Sequence, residues 1–473
     1  MGLVILTLVP SPRPHRPAGT PAFRRAAILM LRTVVLPGSV QRELGNRRIA
    51  KVAMHTAAVA LAVVVLGAAL ALLAPQRLVS LATTPWVLAL ARIILVAYAV
   101  GWVLLLVDAW RLANPLALPR RDRLLLTGLN GVLSLGLSGA LLFASHVAAV
   151  QRDFVTTVFD GDTVTASEHG RYNVLLLGGD AGPGRFGIRP DSITVASIDE
   201  DTGRTVLVGL PRNLADVPFP DGSVMDREFP DGYDCDGCYL NGVYTWAADR
   251  PELFGDSVDS AEAGIEATTS AVEEITGLAI NYHVLVDLRG FRDLVDAVGG
   301  VDVTVGERIP IGGVGAPITG WIEPGEQHLD GFETLWFARS RATSSDYSRM
   351  ARQKCVLNAM LRQLDPQTVV LNLGSIAEAG KQVLSTSIPA SELDRFAELT
   401  LKTKDLPVST VSLVPPVVDT GAPDWDVVRT MIEDGLAASA VKDGLDLRPD
   451  RWLPREHRQV RDANSSTDLT RAC

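Results

Sequence analysis

The sequence predicts an α/β fold: three membrane-spanning helices, then a domain layered α-β-α around a central mixed sheet. Three observations lead there. The first third of the 473-residue chain holds three long apolar runs with almost no charge. From Tyr172 onward, short β-rich runs alternate with segments of helical periodicity, the pattern of helices packed on a sheet. The mean hydropathy of +0.20 is high for a soluble enzyme and fits a chain that is partly membrane-embedded.

The apolar runs are Val52 to Ala74, without formal charge, Trp86 to Val107, with only Arg92, and Leu124 to Val150, again uncharged. Each exceeds the roughly 18–20 residues needed to cross a hydrocarbon core. They are too long and too deep in the chain for a cleaved signal peptide. Arg92 is read as snorkelling or pairing within the bundle. Arg13, Arg16, Arg24, Arg25, Arg32, Arg42, Arg47, Arg48 and Lys51 precede the first run, whereas the loop after it carries only Arg77. Arg111, Arg120, Arg121 and Arg123 precede the third run. The bias of positive charge toward the cytoplasm predicts a multi-pass cell-membrane protein with a cytoplasmic N-terminus. Everything after about Val150 is then extracellular. No pool of ATP or NAD exists there, so an enzyme in that place hydrolyses its substrate or uses one that arrives already activated.

The predicted organisation is a cytoplasmic Arg-rich tail over 1–51, the three helices over 52–150, a linker over 151–170, a catalytic domain over 171–416 and a C-terminal extension over 417–473. Strands are expected at Tyr172–Asp180, Asp191–Asp199 and Thr205–Asn213, where β-rich runs end in Gly or turn residues. Asp259 to Gly277 reads as a helix, with an Asp start, helical periodicity and a terminal Gly. "NYHVLVDL" follows as a strand, "RGFRDLVDAVGG" as a short helix and "VDVTV" as a strand. "LDGFETLWFARSR" and "YSRMARQKCVLNAMLRQL" read as helices. The last stretch, from Arg455 to Cys473, is polar and expected to be disordered.

A net charge of -10 argues against a nucleic-acid partner, because such proteins show a basic surface. The motif Gly182-x-Gly184-x-x-Gly187 matches a dinucleotide fingerprint, but a strand follows it where a helix is required. Cys235 and Cys238 form a C-x-x-C without the partners of a zinc site. Outside a cell a structural disulfide is the expectation. A long-range bridge from Cys235 or Cys238 to Cys355 is favoured over a local Cys235–Cys238 bridge, and Cys473 is read as free. His283 and His328 are read as structural.

Against the acidic background, "ARSRATSSDYSRMARQ" concentrates Arg339, Arg341, Arg349 and Arg352 around Asp346. In a helix beginning near Tyr347, Arg349, Arg352 and Gln353 share a face. Arg339 and Arg341 alternate, and in extended chain they point the same way. Arg189 and Arg212 stand at strand ends, where open α/β sheets place ligands. Guanidinium groups suit bidentate phosphate binding, and several together repel one another unless an anion compensates them. Asp180 ends the first strand and Asp191 starts the second. If the Gly loop folds back, the two carboxylates meet, the usual way to hold Mg2+ beside phosphate oxygens.

These pieces resemble, in order, the LytR-CpsA-Psr (LCP) family of cell-wall glycopolymer ligases, from Tyr172 to about Asp365 and more weakly to about Pro416. The pieces are "NVLLLGGD", "RPDSITVASID", "GLPRN", "GLAINYHVLVDLRGFRDLVDAVGGVDV", "LDGFETLWFARSR" and "DYSRMARQ". The segment "GYDCDGCYLNGVYTWA" with Cys355 looks like the actinobacterial branch. The resemblance implies a phosphotransferase that moves a glycopolymer from a polyprenyl-pyrophosphate carrier onto a peptidoglycan hydroxyl at the lipid bilayer. It implies Asp180 and Asp191 as Mg2+ ligands, and Arg189, Arg212, Arg339, Arg341, Arg349 and Gln353 as the pyrophosphate site, with Arg352 and Asp346 ranked below them. Arg212, Asp191 and Arg349 are the expected catalytic residues. Two departures stand out: Asn213 replaces the usual Asp after Pro-Arg, and Asp180-Ala181-Gly182 lacks the usual arginine. Leu175, Leu177, Leu357 and Met360 are candidates to line a lipid slot. A pyrophosphatase and a non-catalytic sensor of lipid-linked precursors are the rival readings.

Overall fold

The computed structural model describes residues 21–45, 47–159, 161, 163–179, 189–313, 316–363, 384–404, 406–440, 464 and 469–473. Asp180 and the Gly182–Gly187 motif lie outside the described residues, as does most of the C-terminal stretch. The chain divides into two compact units, one of residues 1–78 and 86–149, the other of 79–85 and 150–473.

The first unit is helical: α1 (Pro21–Val35), α2 (Ser39–Leu44), α3 (Arg47–Leu73), then α5 (Pro85–Leu112) and most of α6 (Arg120–Val158), with the short α4 (Pro75–Thr83) before α5. Helices α3, α5 and α6 are long and apolar enough to cross a membrane. Their apolar stretches are 0, 11 and 6% buried within the chain, so the protein itself does not cover them and lipid is the medium that would. Two buried amides, Asn130 and Gln41, bond across helices. Asn130 donates to the Leu106 carbonyl at 3.0 Å and accepts from Ser134 at 2.9 Å, while Gln41 donates to Leu105 O at 3.1 Å.

The second unit is built on a six-stranded mixed sheet in the order β10-β3-β2-β1-β4-β9. Its strands are β1 (Arg171–Gly179), β2 (Pro190–Asp199), β3 (Thr205–Leu210), β4 (Tyr282–Asp287), β9 (Leu384–Thr386) and β10 (Ser409–Ser412). β2 runs antiparallel to β1 and β3, while β4 is parallel to β1 and β10 to β3. Side-chain alternation divides the strands between two cores. After the short α7 (Val224–Glu228) come α8 (Leu240–Ala248) and α9 (Ser260–Thr276); Leu175, Leu177, Ile193, Val195, Val206 and Val208 face these two and the helix Trp425–Ala440. Leu176, Ala196 and Leu207 face the opposite way, the last two toward Ala351 and Cys355 of α12 (Asp346–Gln363).

Local signals explain several boundaries. Asp259 caps α9 by accepting from Ala261 N and Glu262 N, and Gly277 ends it at φ +67°, a conformation that costs other residues. Gly264 in α9 lies against the Tyr244 ring of α8, where a Cβ would stand 2.8 Å from ring carbons. α10 (Leu288–Ala297) starts directly after β4, capped by Asp287, and α11 (Gly331–Arg339) carries a capping box of Asp330 and Glu333. With α12 and two antiparallel strand pairs, β5 (Val301–Val305) with β8 (Gly325–Leu329) and the hairpin β6 (Ile309–Gly313)/β7 (Ala316–Ile322) between them in sequence, these helices enclose a further core. The third strand stops at Leu210 rather than Asn213, so Arg212 stands on the turn that follows it.

The disulfides correct the sequence expectation. Cys235 pairs with Cys238 and Cys355 with Cys473, at Cα–Cα separations of 5.0 and 5.4 Å. The C-x-x-C turn brings its own two cysteines together, with Cys238 N donating to Cys235 O at 2.8 Å. Cys355 is met instead by the chain end. There Leu469–Ala472 forms a helical turn, with Leu469 fully buried beside Ala196, Leu207 and Val408. Cys473 is therefore not free, and this last turn is ordered by burial of apolar side chains rather than disordered.

Candidate functional site

The ends of β1, β3 and β4 and the start of β2 share one edge of the sheet. Gly179 pairs with Pro190 across a bulge and with Asp287 on the other side, while Ile193 pairs with Leu210. That register sets Asp191, one residue into β2, beside Arg212, two residues beyond β3. Arg212 Nη1 donates to Asp191 Oδ1 at 2.7 Å.

The first turn of α12 completes the cluster. Its Asp346 carboxylate gathers three guanidinium groups: Arg349 Nη2 at 2.9 Å, Arg212 Nε at 3.3 Å and Arg341 Nη1 at 3.5 Å. The two longer approaches are charge contacts without aligned hydrogen bonds. Arg212 Nε, Asp346 Oδ1 and Arg349 Nε are buried and have no hydrogen-bond partner among the described residues. Among the described residues guanidinium groups outnumber carboxylates here, so these groups carry net positive charge in a partly desolvated place. Burial alone would push the Asp191 carboxyl up, but the bond and charge of Arg212, with the charges of Arg349 and Arg341, hold it below the ordinary carboxylate value. Burial lowers Arg349, whose side chain is only 3% exposed, and the nearby Asp346 and Asp191 oppose that shift. Burial also acts to lower Arg212, yet Asp191 and Asp346 together raise it.

Beside this cluster opens a cavity of about 420 Å³ between the sheet and helices α10, α11 and α12. Its walls are mostly apolar and include Leu176, Val284, Phe291, Trp336, Leu357 and Met360. Asp191, Arg339, Arg341, Arg349 and Gln353 form its polar part. Leu177, Leu357 and Met360 line it as expected, but Leu175 does not. Leu175 is fully buried in the core against α8 and α9, whereas Leu176, on the other face of β1, lines the cavity, and Leu177 borders both.

Thus Asp191, Arg212, Arg341 and Arg349 come together, with Arg339 and Gln353 on the cavity wall. Arg339 and Arg341 reach it differently from the expected alternation: Arg339 ends α11 and stacks 5.0 Å over Trp336, whereas Arg341 lies on the following loop. Arg352 faces away from the cavity. Its Nε donates to Phe337 O at 2.7 Å, Nη2 to Ser340 O and Nη1 to Ser344 Oγ at 3.1 Å, so it braces the loop that carries Arg341. Arg189 lines a second cavity, of about 560 Å³, which it shares with Arg212. Asp346, ranked low from sequence, is the group on which the arginines converge. His283, which burial lowers, and His328, bonded to Asp302 at 2.7 Å, lie outside the cluster.

The LytR_cpsA_psr family model matches residues 143–420. Similar curated proteins include the polyisoprenyl-teichoic acid–peptidoglycan teichoic acid transferase TagV of Bacillus subtilis (strain 168), 30% identical over 154 residues, 30% of this chain and 39% of that protein. The transferase of the same description named TagU, from Oceanobacillus iheyensis, is 27% identical over 223 residues, 47% of this chain and 60% of that one. The matches span less than two thirds of either relative's length. The crystal structure of B. subtilis TagV is similar at 21% identity and a TM-score of 0.42, over 58% of this chain and 100% of that one. With more than half of its residues matched by the family model, the chain belongs to the LytR_cpsA_psr family.

Proposed function

We propose that the protein is a membrane-anchored, extracellular phosphotransferase that moves a glycopolymer from a polyprenyl-diphosphate carrier onto a peptidoglycan hydroxyl. One observation carries the reading: an apolar cavity opens directly onto a net-positive arginine cluster. A ligand matched to both parts is a lipid with an anionic head. The relatives named as polyisoprenyl-teichoic acid transferases support the same chemistry, and the three apolar helices supply an anchor. The excess of Arg and Lys before the first and third helices supports a cytoplasmic N-terminus and an external domain.

The reaction needs no nucleotide, because the phosphoanhydride is already activated. The acceptor hydroxyl oxygen attacks the phosphorus that bears the glycan. The anhydride P–O bond breaks, polyprenyl monophosphate leaves, and the hydroxyl proton passes to a base. Catalysis is then positioning and charge neutralisation. Arg341 and Arg349, prearranged on Asp346, and Arg212, prearranged on Asp191 and Asp346, face the developing charge without reorganising. The leaving lipid phosphate lies against Arg339 and Gln353. Asp191, held ionised by its arginines, has the oxygen chemistry that Mg2+ prefers, and that ion is commonly held by one or two carboxylates plus substrate phosphates. Among the described residues no group of three or more His, Cys, Asp or Glu is arranged to hold a metal alone. Asp191, with Asp180 from the segment outside the described residues, would hold Mg2+, which when bound offsets phosphate charge.

Equilibrium binding to the full chain in detergent micelles tests the lipid-carrier reading. A polyprenyl diphosphate should bind more tightly than inorganic diphosphate. Leu357→Gln should weaken only the lipid form, whereas Arg349→Ala should weaken both, by about tenfold or more for loss of a charge-assisted contact. Equal affinity for the lipid and inorganic forms would contradict it.

A further inference from the structure

The Asp191–Arg212 pair stands between two cavities of opposite character. Asp191 lines the apolar one, and Arg212 lines the second. Among the described residues around the second cavity none is aliphatic. Arg189 and Arg212 meet Tyr239, Asn241, Trp246 and Asp249 there. The rim is formed by the start of α8 and by the turn that Cys235–Cys238 closes, where Gly237 stands at φ +77°.

The Trp246 ring is held in place. Trp246 packs edge-to-face on Phe229 with ring centroids 5.0 Å apart. Arg250 lies 4.6 Å over the Trp246 ring and donates to the Trp246 carbonyl at 3.0 Å. Tyr239 is 41% exposed and free to present its ring. Rings beside an amide, a carboxylate and guanidinium groups suit a ligand with apolar C–H faces and many hydroxyls. The rings pack on the faces, and the planar polar groups satisfy the hydroxyls. The first cavity also holds rings, an amide and charged groups, but most of its wall is apolar.

We infer that the second cavity is a saccharide site. The inference rests on the transferase reading and adds to it the way the substrate lies: lipid in one cavity, phosphates at Asp191–Arg212, sugar in the other. Two sources share this chemistry, the sugar on the donor diphosphate and the glycan strand of the acceptor.

The test uses the full chain in detergent micelles and three probes: a polyprenyl diphosphate, the same diphosphate carrying one N-acetylglucosamine, and a soluble oligomer of N-acetylglucosamine and N-acetylmuramic acid. The double variant Tyr239→Ala/Asp249→Asn alters only partly exposed side chains, and thermal unfolding confirms that it folds. Its affinity for a sugar-bearing probe should fall about tenfold, as for two lost hydrogen-bonding or packing contacts. Its affinity for the sugar-free diphosphate should not change. A fall on the second probe assigns the site to the donor sugar, and a fall on the third assigns it to the acceptor; either supports the inference. Unchanged affinity for both sugar-bearing probes, or an equal fall for all three, overturns it while leaving the transferase reading intact. Wild-type chain that binds no polyprenyl diphosphate contradicts the transferase reading and this site together.

Discussion

Three guanidinium groups share the Asp346 carboxylate, and a fourth residue, Arg352, holds the loop that delivers one of them. These positions predict different phenotypes for neighbouring arginines. Arg352→Leu strands the carbonyls of Phe337 and Ser340, and should destabilise the fold by about 1.5–3 kcal/mol, the worth of hydrogen bonds to a charged group. Thermal unfolding checks this, and an unchanged Tm with lost lipid-diphosphate affinity would instead make Arg352 a ligand. Asp191 predicts a pH dependence of definite sign. Its folded carboxyl lies below the unfolded value, so the stability it contributes is present above the ordinary carboxylate range and lost as pH falls through the folded value. The stability difference between wild type and Asp191→Asn should be flat around neutral pH and shrink only in acid. A difference that grows on acidification would reverse the assignment.

Among elements, α12 ties the site to the end of the chain. Cys355 is bridged to Cys473, and Lys354 Nζ donates to Ser412 Oγ and, at 3.1 Å, to Asn464 Oδ1. The Cys355–Cys473 bridge closes a loop of 118 residues in sequence separation, so Cys473→Ser should cost about 2–4 kcal/mol. Non-reducing peptide mapping should recover Cys235–Cys238 and Cys355–Cys473 and no Cys235–Cys355 peptide. The sequence favoured the wrong partner because loop entropy ranks long bridges without saying which segments meet. Elements with strong local signals were legible: α9 through Asp259 and Gly277, β1 and β2 through their β-rich runs. The β6/β7 hairpin was not, because Pro310, Gly312, Gly313 and Pro317 make it read as loop. α8 was equally hidden, since Gly242 interrupts "LNGVYTWAA", and with it the aromatic cavity. The arginine cluster stood out as a local excess of charge. The importance of Asp346 did not, because it depends on Arg212, which only the sheet register brings near.

For the whole molecule, three helices long and apolar enough to cross a membrane precede most of a domain whose site is apolar on one side and rich in arginine on the other. The proposed reaction is a transfer, in which the glycan phosphate leaves the lipid and joins another hydroxyl rather than water. The direct measurement supplies the full-length protein with Mg2+, peptidoglycan and a doubly labelled polyprenyl-diphosphate glycan, and follows both labels. Transfer predicts one polyprenyl monophosphate released for each glycan phosphate bound to peptidoglycan, with both yields falling about 100-fold or more in Arg349→Ala, as when one donor to a developing oxyanion is removed. Release of polyprenyl monophosphate with no glycan on peptidoglycan would contradict it and make the protein a hydrolase.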